Sequence, residues 1–329
     1  MLTIGLAVLT LLGMWILSTV GQSYFPIVED SVGILRVEGP INESRDVIKV
    51  IKRYRENDMI KAIVVRLDTP GGSVGASEEI YRELMRARDK DGKIVIVSMG
   101  NAAASGGYYI ACAGQRLFAN SGSITGSIGV IAPGFNIKKT LSYVGIRPET
   151  IKSGEHKDTG SPYDDMTTNE RVLIQDVIND MYRQFSTVVL RSRHKAIEKA
   201  WKDSAKVQQI LNRAGTKIAA DSLEWSGYTT GTVAAAAGAT TASETALREM
   251  ADGRVYTGDQ ALALGLVDEI GTLEDAIEYA GKQTGLGDDP NVVDRAPASD
   301  LPSWLGMSAR RFFREALGTE SSIEMRREF

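Results

Sequence analysis

Ile94-Val-Ile-Val-Ser98-Met-Gly-Asn101-Ala-Ala-Ala-Ser105-Gly106-Gly107-Tyr-Tyr-Ile-Ala111 is the stretch on which the reading of this chain turns. Ile94–Ser98 is a β-branched run of the kind buried on both faces of a parallel sheet. It gives way to small residues carrying one hydroxyl, Ser105, and then to a segment that reads as a helix. Two glycines directly after the serine let another backbone or a ligand come close to the amides at the helix start. Such amides have no partner within the helix and favour developing negative charge. A hydroxyl beside anion-binding amides is what acyl transfer asks of an enzyme. The same small residues also serve plain close packing, so the stretch decides nothing without the rest of the chain.

Upstream, Ala62–Leu67 is a second buried-strand run, ending at Asp68-Thr-Pro70-Gly71-Gly72-Ser73 and followed by a charged helix, Ala76–Ala87. Before it, Gly33–Glu38 reads as a strand, and Asp46–Tyr54 places Val47, Ile48, Val50, Ile51 and Tyr54 at helical spacing. Strands alternating with helices predict a layered α/β domain with mainly parallel strands, whose ligands sit where strand ends meet helix starts. If the strands are neighbours, the junctions at Gly71-Gly72 and Gly106-Gly107 converge. Downstream, Arg116–Ala119 reads as a short strand, Ile137–Val144 as a short helix and Pro148–Ile151 as a strand. Thr167–Lys199 reads as a long packing helix, with Leu173, Ile174, Val177, Ile178, Met181 and Phe185 at steps of three and four. Asp259–Leu264 and Gly265–Gly271 add a short helix and a strand.

The composition narrows the chemistry. A chain of 329 residues with a mixed net charge of −4 does not suggest nucleic acid as a partner. Cys112 is the single cysteine, and His156 and His194 are the only histidines, so a histidine-rich metal site and a Ser-His-Asp triad are both poorly supplied. No metal or other cofactor is expected. If Ser105 is a nucleophile, its base comes from elsewhere. The loop Lys152-Ser-Gly-Glu-His156-Lys157-Asp158 offers two lysines and a histidine. A lysine can act as a base when desolvation favours its neutral form, and Ser-Lys pairs do replace the triad. Periodicity does not choose among Lys152, His156 and Lys157.

Residues 1–28 carry no charge, and Leu2–Val20 is almost wholly apolar. That length spans a bilayer, and the basic start and cleavage site of a signal peptide are missing, so the segment reads as a single-pass membrane anchor contacting lipid. No Lys or Arg precedes Arg36, so charge does not orient it; the catalytic domain is expected on the extracytoplasmic side. At the other end, 288–329 reads as a linker followed by a basic amphipathic tail around Trp304–Leu317.

With these motifs in order, the chain resembles the signal peptide peptidase A family of membrane-anchored serine proteases with a Ser/Lys dyad, in its short form. The matching segments are Asp68-Thr-Pro-Gly-Gly-Ser73, Ala103-Ala-Ser-Gly-Gly-Tyr-Tyr-Ile110, Thr125-Gly-Ser-Ile-Gly-Val130, Ile151-Lys-Ser-Gly-Glu-His-Lys-Asp158 and Ala251-Asp-Gly-Arg-Val-Tyr-Thr-Gly258. The resemblance implies a Clp protease/crotonase-like core of repeated β-β-α units over residues 29–200 and 247–287. It also implies Ser105 as nucleophile, Lys157 as general base, Ser127 orienting the lysine, and an oxyanion hole from the amides of Gly72 and Gly106. Substrates would be signal-peptide remnants or other hydrophobic peptides, cleaved in a homo-oligomeric ring where neighbouring subunits share each site. His156 is the rival base, while Lys152 and Asp158 support the loop. Residues 201–246 read as an insertion of unknown role. Within it, Gly227-Tyr-Thr-Thr-Gly-Thr-Val-Ala-Ala-Ala-Ala237 looks like a cobalt-precorrin C-methyltransferase opening, too short to assign methyl transfer.

Two other functions fit the same layout. A crotonase-type enzyme acting on acyl-CoA thioesters also uses amides at helix starts, but needs carboxylates where this chain has Ser105. A non-catalytic membrane scaffold would keep the fold and only bind peptides.

Overall fold

In a computed structural model of the chain, which describes residues 29–212 and 231–294, the β-branched runs form the middle of an eight-stranded sheet. The elements in order are β1 (Ser31–Glu38), α1 (Arg45–Arg55), β2 (Ile60–Thr69), α2 (Val74–Asp89), β3 (Ile94–Ala104) and α3 (Gly106–Ala111). They continue with β4 (Arg116–Ala119), β5 (Ile124–Gly126), α4 (Lys138–Tyr143), α5 (Thr168–Trp201), α6 (Ser204–Asn212), α7 (Thr232–Ala237) and α8 (Thr241–Met250). Last come β6 (Val255–Thr257), α9 (Gly258–Leu264), β7 (Glu269–Ile270), α10 (Leu273–Thr284) and β8 (Val292–Asp294). The order across the sheet is β6-β5-β3-β2-β1-β8, with β4 pairing both β3 and β7.

Parallel β1, β2 and β3 are covered on both faces, which is why their sequences run apolar without alternation. Leu35, Ile63, Val65, Leu67, Val97 and Met99 join the core beneath α1, α2 and α3. Ile34, Ala62, Val64 and Ile96 point the other way, against Phe118 and the Ala276, Ile277 and Ala280 stripe of α10. Period-two side-chain alternation thus feeds two packed layers from one strand.

β3 changes partners along its length. Ile96–Met99 pairs with β4, whereas Ala102–Ala104 pairs with β5. The sheet therefore forks near Gly100, and the upper branch is closed by the antiparallel pair β5–β6.

Several expectations need correction. Pro148–Ile151 is not a strand: it has no pairing partner, and Ile151 is fully exposed. Val292–Asp294, inside the stretch read as linker, is a strand parallel to β1. The long helix α5 packs mainly through its second half, where Phe185, Val188, Val189, Leu190 and Ile197 are buried. Its first turns stand clear of the core, exposing Val172, Leu173 and Val177. The described parts of 201–246 are integral to the body, since Val207, Leu211, Val233, Ala237 and Ala246 are buried in the main core. Of the opening read as methyltransferase-like, 227–230 lie outside the described residues. So do the proposed anchor 1–28 and the tail 295–329; no helix among the described residues is long and apolar enough to cross a membrane.

Candidate active site

Parallel register sets Thr69 of β2 opposite Ala103 of β3, with an irregularity just before Thr69. Both chains therefore leave the sheet at one level, β2 through Pro70-Gly71-Gly72 and β3 through Ser105-Gly106. The contact between them leaves no room for side chains. A Cβ on Gly71 would lie 2.7 Å from the Gly106 amide nitrogen and 2.8 Å from Ser105 Cβ. A Cβ on Gly106 would lie 3.3 Å from the Gly72 amide nitrogen and 2.3 Å from Ser77 Oγ. The amides of Gly72 and Gly106 thus lie side by side next to Ser105.

Hydrogen bonds hold this turn without consuming those two amides. Ile41 clasps it from the β1 side, its N–H donating to Gly71 O at 2.9 Å and its carbonyl accepting from Ser73 N–H at 2.7 Å. The Gly71 N–H donates to Thr69 Oγ1 at 3.1 Å, and Ser77 Oγ donates to Ser73 O at 2.9 Å. Among the described residues neither the Gly72 nor the Gly106 N–H has an acceptor. Two adjacent, unspent donors can take up a developing oxyanion.

Ser105 is half-buried, with φ +52° and ψ −119°. That backbone is disfavoured for a residue with a Cβ by about 1–3 kcal/mol, and such conformations persist only where surroundings impose them. Among the described residues only Ser105 and Ser127 combine a side chain with positive φ. The Ser105 side chain makes no capping bond to α3. Its N–H donates to Gly126 O at 2.9 Å, and Gly126 pairs with Ala104, so Ser127 follows directly beside Ser105.

The structure therefore gathers Ser105, Gly72, Gly106 and Ser127, and among the described residues no hydrogen bond or ion pair joins Lys157 to them. Lys157 lies on an arm between β5 and α5 on which every residue from 131 to 157 except Leu141 is exposed. His156 is equally exposed on that arm. Lys152 and Asp158 bind one another at 2.7 Å, and Lys152 also donates to Glu155 O. That bond holds the Lys152 ammonium above its usual range and the Asp158 carboxyl below. Among the described residues no group of acidic, cysteine and histidine side chains could hold a metal ion.

One contributor went unnoticed in the sequence, Thr69, whose Oγ1 accepts from the Gly71 N–H. The Pro-Gly-Gly signal announces a turn, but only the fold reveals that Gly71 is seated against the serine. A cleft of about 480 Å³ begins just past this turn, between Val74, Gly75 and Glu78 of α2 and Val177, Asp180 and Met181 of α5.

Comparison with known proteins agrees with this geometry. The sequence profile of peptidase family S49 matches residues 87–219 and 224–287, and that of Clp protease matches 31–124. The chain is 37% identical over 248 residues to the slr0021 protein of Synechocystis sp., named as a protease, covering 75% of this chain and 71% of that one. A protein of Enterococcus faecium named as a signal peptide peptidase, SppA, is 30% identical, over 78% of this chain and 61% of that one. The chloroplastic serine protease SPPA of Arabidopsis thaliana is 28% identical, over 87% of this chain but only 37% of its own length. The domain is mixed α/β and Clp protease-like, and with more than half of its residues matched, the chain belongs to peptidase family S49, the serine proteases of the signal peptide peptidase A type.

Proposed function

We propose that the chain is an endopeptidase that cleaves hydrophobic peptides through an acyl-enzyme on Ser105, with Lys157 as base. The observation that carries this reading is the strained Ser105 set against the two free amides of Gly72 and Gly106. In the reaction, neutral Lys157 Nζ takes the Ser105 Oγ proton as Oγ bonds to the scissile carbonyl carbon. The carbonyl oxygen becomes an oxyanion facing the Gly72 and Gly106 amides. The lysine ammonium then passes its proton to the departing amine, leaving an ester on Ser105. Water, deprotonated by the same lysine, then attacks the ester carbonyl, and the lysine returns that proton to Ser105 Oγ as the Oγ–acyl bond breaks and the second product leaves as an acid. Ser127 orients the lysine.

Lys157 reaches the serine from a neighbouring copy in this reading. In favour are the exposed arm and its uncovered apolar side chains, with Phe135 84% and Tyr143 88% exposed. Patches of this kind mark association surfaces. A homo-oligomeric ring whose subunits share sites follows as the proposal, and residues 1–28 as its single-pass anchor, holding the catalytic domain on the extracytoplasmic side. Signal-peptide remnants, met at the bilayer, are the proposed substrates.

The test is cleavage of a quenched-fluorescent hydrophobic peptide by the full chain in detergent. Ser105→Ala and Lys157→Ala should each abolish it, and an equal mixture of the two should recover about a quarter of wild-type activity, because one site in four regains both groups in a head-to-tail ring. Activity retained in either variant would sink the dyad. Hydration of an enoyl-CoA, or peptide binding without cleavage by the wild type, would favour the crotonase or scaffold readings.

A further inference from the structure

The two strained serines hang on one another through the backbone, and that linkage continues to a partly buried ion pair. Ser105 N–H donates to Gly126 O, and Ser127 N–H donates to Arg254 O at 2.8 Å. Antiparallel pairing of β5 with β6 runs from Ile124↔Thr257 to Gly126↔Val255, and the Ser127–Arg254 bond extends it by one residue. A Cβ on Gly126 would lie 3.3 Å from Arg254 O, and one on Gly129 would lie 3.2 Å from Gly253 Cα. The Asp252-Gly253-Arg254 turn therefore holds the segment around Ser127 at both Gly126 and Gly129.

What fixes that turn is the Arg254 side chain. Its Nε donates to both Asp252 carboxylate oxygens at 2.8 and 2.9 Å, and its Nη1 donates to Leu211 O at 3.1 Å. Arg254 N–H also donates to Asp252 Oδ1 at 3.1 Å. The two side chains are 18% and 10% exposed. Tyr256 OH and Tyr182 OH anchor the preceding carbonyls of Met250 and Ala251. A planar, multidentate guanidinium can satisfy all these acceptors at once, and a lysine cannot.

We infer that Asp252 and Arg254 are positioning residues of the active site: their pairing imposes the positive-φ backbone at Ser127 and, through Gly126 O, aligns Ser105. This rests on the proposed roles of Ser105 and Ser127. Neither residue of the pair touches substrate in this scheme. They act by holding the carbonyl that the strained serine needs.

The experiment compares wild type, Arg254→Lys, Asp252→Asn, Ser127→Ala and the double variant Ser127→Ala/Arg254→Lys in full-length protein, with steady-state peptide cleavage and thermal melting on each. Arg254→Lys and Asp252→Asn should lower kcat by about tenfold to a hundredfold while KM stays within about threefold, as misplacing reacting groups by under an ångström does. The double variant should be no slower than Ser127→Ala alone within about threefold, because both changes remove the same alignment. Independent, multiplying losses would overturn the inference, as would an unchanged kcat in both single variants. Failure of both to give a cooperative melt would mark the pair as scaffold and also overturn it. The underlying site reading fails in a different way: Ser105→Ala or Ser127→Ala would keep wild-type kcat, whatever Arg254→Lys does.

Discussion

Replacing Gly71 with alanine puts a methyl group where three atoms already stand. Gly71 has φ +98°, and an added Cβ would meet the Gly106 nitrogen at 2.7 Å and both Ala104 O and Ser105 Cβ at 2.8 Å. The strained φ alone is worth about 1–2 kcal/mol. The clash adds to it, because two of the three atoms are backbone and no flexible side chain can swing away. Restoring ordinary van der Waals separation needs a displacement of about 0.7 Å, and the atoms that move are the oxyanion amide and the nucleophile's own Cβ. Since a misplacement of about 1 Å is worth roughly a hundredfold in rate, kcat should fall by some tens-fold. With overpacking adding about 1–3 kcal/mol, melting temperature should drop by about 5–15 °C, on the order expected for that total in a domain of this size. Steady-state cleavage of a fluorogenic peptide, with a thermal melt on the same sample, reads both. Wild-type kcat in a Gly71→Ala protein that melts normally would refute the packing of that turn against Ser105.

Arg193 is 4% exposed and forms a bidentate pair with Asp268 at 2.8 Å, while its Nε donates to Gly265 O. Arg193→Met strands that carboxylate and should cost about 3–5 kcal/mol in denaturant unfolding; a loss under about 1 kcal/mol would contradict it. Burial pushes the Cys112 thiol up to about 12. A thiol-reactive dye at pH 8 should therefore label the native protein negligibly and the unfolded protein fully, and prompt native labelling would disprove that burial. Burial pushes the Asp252 carboxyl up, but the Arg254 hydrogen bonds outweigh it and hold it below the usual 3.8. A carboxyl with a depressed folded pKa stabilises above its unfolded pKa, and that stability is lost as pH falls through the folded value. Melting temperature should therefore decline from about pH 4 downward, less steeply in Asp252→Asn, and equal slopes would count against the pairing.

Much of this was legible in the residues for reasons that particular segments show. The runs Ala62–Leu67 and Ile94–Ser98 announce strands buried on both faces, and they form the centre of the sheet. Their ends were not legible. β3 runs on to Ala104 through Asn-Ala-Ala-Ala, a poor strand by propensity, because β2 and β5 supply ladder partners there. Pro148–Ile151 shows the converse: an extended pattern with no neighbour to pair with stays irregular. Val292–Asp294 is too short to stand out behind Pro290, yet the open edge of β1 recruits it. In the candidate site, the serine and the glycines announced themselves as turn chemistry. Their meeting depends on register, which no local pattern carries. The lysine and His156 both sit exposed on the same arm, where no side-chain hydrogen bond among the described residues singles out either one.

The fork in β3 has a consequence for how the molecule breathes. The root of the strand, Ile94–Met99, belongs to a large, doubly covered sheet, whereas its tip continues into a ladder built from three-residue strands. One strand thus spans two cooperative units of unequal strength. Backbone amides of β5 and β6 can exchange with solvent through openings that leave the central strands shut, and the serine rides at the boundary between the two regimes. Local opening at the tip and global unfolding of the root are thereby separated within a single strand.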